Sequence, residues 1–168
     1  QHGIAPDAEL GAVRVFQDLD GAWESDMAAS ILDVVADDVE ITYTARDGST
    51  KTKRKIINMS LSGSRFPYSY MRNALAAAEA NGVVVVVAAG NEGEDACENS
   101  YGETNSVVAV GAVSALNKGW DQYTDFSNFG RCVSIAAPGA GIKSAAPSAG
   151  INAYQYWAGT SMASPHVA

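Results

Sequence analysis

Three stretches of this chain hold residue types that could do chemistry. The first is Gly159-Thr160-Ser161-Met162-Ala163-Ser164-Pro165-His166. A serine in a Gly-containing turn that opens a helix has its hydroxyl at a helix N-terminus, where backbone N–H groups and the dipole favour negative charge. Pro165 is tolerated only near a helix start, which places that start close to Ser161. Read alone, the stretch fits either a nucleophile or an ordinary Ser N-cap. The second is Ala88-Ala89-Gly90-Asn91-Glu92-Gly93. Here Asn91 is either a side-chain donor for a reacting carbonyl oxygen or the left-handed residue of a turn. A phosphate cradle fits poorly, because Glu92, Glu94 and Asp95 would repel the anion and no helix signal follows. The third is Ile57-Asn58-Met59-Ser60-Leu61-Ser62-Gly63, a strand running out into Ser and Gly. Its end could pair with an extended peptide, or simply lead into a loop.

These stretches need elements to hold them. The chain has 168 residues, 47% apolar and 18% charged, enough for one domain with a real core. Lys and Arg number 11 against 19 Asp and Glu, a net charge of −8. That sign argues against a nucleic acid or an anionic membrane as partner. The longest wholly apolar run, Val83 to Ala89, is far shorter than a membrane span. Being apolar without alternation, it reads as a strand buried on both faces, as in a parallel sheet. Val107 to Val113 and Val133 to Ala137 read likewise, and Ile56 to Leu61 and Gly11 to Phe16 as further strands. Ser25 is placed to cap a helix through Met27, Ile31, Val34 and Val35. Pro67 can open another through Met71, Leu75 and Ala78, ended by Asn81-Gly82. Strand, helix, strand, helix, strand predicts an open α/β sheet, whose chemistry gathers beyond the carboxyl ends of its strands. Residues 39–55 stand apart as a β-hairpin around Asp47-Gly48, with basic Lys51, Lys53, Arg54 and Lys55. A solvated arm paired with the acidic stretch before it accounts for that charge; an exosite is the alternative.

Taken together, the three stretches resemble the subtilisin-like serine proteases. Gly159 to Ala168 is similar to that family's nucleophile signature nearly letter for letter, Val83 to Gly93 to its oxyanion strand, and Ile56 to Gly63 to its substrate strand. Gly3 to Leu10 followed by Ala12 to Val15, Phe126 to Gly130, and Ala137-Pro138-Gly139 match too. The resemblance implies a three-layer α/β fold with a mostly parallel sheet, of which this chain is an incomplete piece. It implies that Ser161 attacks a peptide carbonyl and that the Asn91 side chain and the Ser161 N–H hold the oxyanion. Such a side-chain donor is worth roughly 2.7–4 kcal/mol, a magnitude known from subtilisin itself. Ser60, Leu61 and Ser62 on one side and Ala88, Ala89 and Gly90 on the other would bind substrate. The family usually has Gly where Ser62 stands, which bears on how closely a peptide can approach.

The family also supplies a catalytic Asp and His upstream of the segment matched here, in motifs this chain does not contain. His2 and His166 fall at positions the resemblance gives no catalytic role. The chain begins without Met and stops inside a starting helix, so a partial catalytic domain is expected, inactive by itself. Cys97 and Cys132 are an even pair outside any metal-ligand cluster. Their contexts resemble the disulfide-bearing, proteinase-K-like branch, which implies a bridge and a secreted protein. No cofactor is required for the chemistry and no metal ligand is assigned. Structural calcium belongs to the family, but carbonyls near Asn105 and Val107 would here face Ser134 where a carboxylate is needed. Polypeptide substrates and a monomer are expected. An α/β-hydrolase-type esterase and a non-catalytic pseudoprotease or binding protein are the alternative readings.

Overall fold

The computed structural model describes the chain except residues 1–3, 6–7, 19–20, 38–41, 45–46, 53, 64–66, 100, 115–121, 147–149 and 151–152. At its centre lie four parallel strands, β5 (Ile56–Met59), β6 (Val84–Ala88), β7 (Val108–Val113) and β8 (Ile135–Pro138), in that spatial order. The Val83–Ala89 run therefore forms the strand its lack of alternation predicts. Its successive side chains divide between two cores. Val85 and Val87 face helices α1 (Glu24–Ala36) and α2 (Ser69–Ala80), packing with Met27, Ile31, Met71 and Leu75. Val86 faces the other way, packing with Val110, Ala112, Ala137 and Ala163 of the helix α4 (Thr160–Val167). Helix, sheet and helix make three layers. Each such valine is removed from water on a face of its own, worth about 1.5–3 kcal/mol apiece.

α2 is the crossover between the parallel neighbours β5 and β6, ending at Asn81 as the Asn-Gly pair predicts. Between β6 and β7 lie the short helix α3 (Ala96–Asn99) and a 3-10 turn over Tyr101–Thr104. Three two-stranded antiparallel ribbons flank the sheet: β1 (Phe16–Asp18) with β2 (Gly21–Ala22), β3 (Thr42–Thr44) with β4 (Thr50–Thr52), and β9 (Ile142–Ala145) with β10 (Tyr154–Trp157). The predicted hairpin is the second of these. Asp47 turns it, its carboxylate accepting from the Ser49 N–H at 3.0 Å and the Ser49 hydroxyl at 2.6 Å. Lys55 caps α1 rather than facing solvent, donating to the carbonyls of Val34 and Asp37.

Some boundaries differ from the sequence reading. Gly11 to Val15 form no strand; β1 begins only at Phe16, where Gly21 and Ala22 supply a partner. Trp23, not Ser25, is the N-cap of α1, and its side chain makes no capping bond. The helix starts earlier because the Asp26 and Met27 N–H groups both donate to the Trp23 carbonyl, at 3.1 Å. His2 and Lys53 lie outside the described residues.

Candidate active site

The register Met59↔Val87 puts Ser60 and Ala88 side by side at the carboxyl ends of β5 and β6. The two stretches thus leave the carboxyl ends of neighbouring parallel strands together, the end of an open α/β sheet where ligands bind. Ser60 and Ser62 are exposed and Leu61 half-buried; Ala88, Ala89 and Gly90 are buried.

Asn91 follows Gly90 and is exposed, while α4 brings Ser161 to the same end of the sheet. Thr160 joins them. Its backbone N–H donates to Asn91 Oδ1 at 2.8 Å, and its hydroxyl donates to the same oxygen at 3.0 Å. That hydroxyl accepts in turn from the Gly90 N–H at 3.2 Å. Because a backbone N–H can only donate, the oxygen of the amide must face Thr160, and the NH2 of Asn91 is turned the other way as a donor. In the first turn of a helix the N–H groups have no intrahelical carbonyl to reach. Thr160 gives its N–H to Asn91 and Met162 gives its own to the Gly159 carbonyl at 3.0 Å; the Ser161 N–H lies between them. The half-buried Ser161 is therefore at a helix N-terminus beside a fixed amide donor.

Asn128 shapes the Asn91 loop, and the sequence alone gave it no role. It is fully buried, and its Oδ1 accepts from the Glu92 and Glu94 N–H groups at 3.1 and 3.0 Å. Its Nδ2 donates to the Ala89 carbonyl at 3.0 Å and to the Glu92 carboxylate at 2.7 Å. Gly90 must be glycine here: its φ is +104°, and a Cβ would overlap Nδ2 of Asn128. The signals in the sequence were the likeness of Phe126 to Gly130 to the family and the polar Ser127-Asn128 pair inside it.

A second network ties the substrate strand to α4. Buried Ser164 donates its hydroxyl to Asn58 Oδ1 at 2.7 Å, and Asn58 Nδ2 donates to Ser60 Oγ at 2.9 Å. His166 does not approach Ser161 as a base would; its Nδ1–H donates to the Met162 carbonyl at 2.7 Å, one helical turn back. Cys97 and Cys132 are bridged, with Cα atoms 5.2 Å apart, and pack beside Ala89 and Ala96 under the Asn91 loop. The Ser134 hydroxyl accepts from the Ala109 N–H at 3.2 Å. Among the described residues no group of three or more His, Cys, Asp or Glu gathers to hold a metal ion.

Comparison with known proteins gives this geometry a context. The subtilase family, peptidase S8, matches residues 1–168. A subtilisin-like protease of Coccidioides posadasii is 36% identical over 167 residues, covering 99% of this chain and 38% of the relative. Alkaline protease 2 of Aspergillus fumigatus is 36% identical over 169 residues, covering 100% of this chain and 33% of that protein. Among solved structures, a cold-adapted subtilisin-like serine proteinase superposes with a TM-score of 0.79 at 32% identity, over 98% of this chain and 52% of its own. The chain thus spans between a third and two-fifths of these curated relatives and about half of that solved chain.

Proposed function

Because this chain belongs to the subtilase family, we propose that it carries the nucleophile and oxyanion half of a serine endopeptidase site. Ser161 Oγ attacks the scissile carbonyl and an acyl-enzyme forms on it. Asn91 Nδ2 and the Ser161 N–H receive the charge that develops on the carbonyl oxygen. Ser60 to Ser62 and Ala88 to Gly90 hold the peptide in an extended form across the strand ends. The observation that carries the reading is the pair of bonds from Thr160 to Asn91 Oδ1, which turns the amide NH2 away as a donor beside Ser161.

The proton of Ser161 and the leaving amine require an imidazole and a carboxylate to orient it. Neither is supplied by His166, so the activity belongs to the protease in which this chain is joined by the family's Asp and His motifs. The Cys97–Cys132 bridge supports an oxidising setting, in keeping with a secreted protein. Among the described residues no helix is long and apolar enough to cross a membrane.

The esterase alternative needs a strand of the main sheet running straight into the nucleophile. A strand does precede Ser161, but β10 pairs only with β9 in an antiparallel ribbon outside the parallel sheet. Turnover of matched peptide-amide and ester substrates by the protease containing this chain tests the reading. Ser161-dependent cleavage of both is expected; cleavage of the ester alone contradicts an endopeptidase.

A further inference from the structure

Beneath the exit of the substrate strand lies a cluster that the chemistry above does not use. Tyr101, from the 3-10 turn, is 1% exposed and packs in the α1–α2 core, against which Leu61 also rests. Its ring lies directly on the backbone of Gly63: a Cβ on Gly63 would fall within the ring. The hydroxyl donates to Glu24 Oε1 at 3.1 Å. The other carboxylate oxygen, Oε2, accepts from the Tyr68 N–H at 3.2 Å, at the N-cap of α2. Glu24 is the first residue of α1, where the helix dipole favours its negative charge. One carboxylate thereby joins α1, the entry to α2 and the turn after α3. From behind, that turn is held by Cys132, whose carbonyl a Cβ on Gly102 would strike. Gly63 stands immediately after Ser62, so the ring sits under the place where the substrate strand leaves the sheet.

Resting on the assignment of Ser60 to Ser62 to substrate, we propose that Tyr101, held by Glu24, is a positioning residue for peptide binding. The ring fixes the height of Gly63, and with it the separation of the Ser60–Ser62 segment from Ala88–Gly90. A buried ring cannot slide while its hydroxyl is bonded to an ionised carboxylate that is itself fixed by two helix N-termini. The neighbouring strand end therefore meets a peptide already in place rather than ordering on contact.

The test is calorimetric titration of the protease containing this chain, carrying Ser161→Ala to prevent turnover, with an N-acyl tetrapeptide amide, thermal melting being followed for each variant. Tyr101→Leu should weaken binding about 10-fold, and Tyr101→Phe or Glu24→Ala about 5-fold, at temperatures where each remains folded. The double variant Tyr101→Phe with Glu24→Ala should bind no worse than either single one, because both remove the same contact. Glu24→Gln should bind within about twofold of the parent. Its amide NH2 can donate to the Tyr101 hydroxyl while its carbonyl accepts from Tyr68 N–H. Equal binding by parent and variants overturns the positioning role while leaving the substrate strand intact. Loss of affinity in Glu24→Gln equal to that in Glu24→Ala overturns it too. A parent protease that binds no peptide overturns the substrate assignment, and the proposal with it.

Discussion

Asn128 uses both side-chain atoms of a buried amide to hold the Asn91 loop, with two N–H groups received and two oxygens bonded in return. Replacing it by Ala removes all of those bonds at once. A loss of about 3 kcal/mol is expected, read as a lowered urea midpoint. Tyr101 makes a pH-dependent prediction. Burial first, then the charge and hydrogen bond of Glu24, push its hydroxyl well above the ordinary tyrosine range. In the unfolded chain it ionises near pH 10, so above that value the folded form binds the extra proton. Its contribution is intact below about pH 10 and is lost as pH rises further. The stability difference between the parent and Tyr101→Phe should therefore shrink from about pH 8 to about pH 11; a constant difference contradicts it. Ser161 and Asn91 were visible in the sequence as candidates because each stands in a short local motif. Asn128, Thr160 and Tyr101 were not, since their partners lie 36, 69 and 77 residues away and only folding brings them together.

At the scale of elements, β6 was the plainest feature of the sequence, since a strand covered on both faces must be apolar throughout. Ends were less legible. The first strand is shorter than its apolar pattern because pairing, not composition, decides where a ribbon begins. α1 starts ahead of Ser25 because the Trp23 carbonyl takes the N–H groups of Asp26 and Met27. The bridge closes a span of 35 residues that runs from α3 through β7 to the approach of β8. Chain entropy gives it about 3–4 kcal/mol. Paired Cys97→Ser and Cys132→Ser substitutions should lower stability by that amount in chemical denaturation. An unchanged midpoint contradicts a closed loop in the unfolded chain.

For the whole molecule, three layers place the residues of the proposed half-site at one end of a parallel sheet. That architecture follows from the non-alternating runs, and the site from where two adjacent strands end. Ser161 has no imidazole facing it among the described residues, the ring of His166 being turned back to Met162. The 168-residue chain alone is accordingly expected to give no Ser161-dependent turnover of a peptide amide. In the protease that supplies the His and Asp, Asn91→Ala should lower kcat by about 10²–10³-fold with little change in KM, the range known for such a donor in subtilisin. Everything proposed for this site turns on Ser161 being the nucleophile. Peptide mapping of that protease after inactivation by a fluorophosphonate tests it most directly. One adduct, on Ser161, accompanying complete loss of peptide hydrolysis is the predicted result. An adduct on a different serine, with Ser161→Ala retaining its turnover, would contradict it.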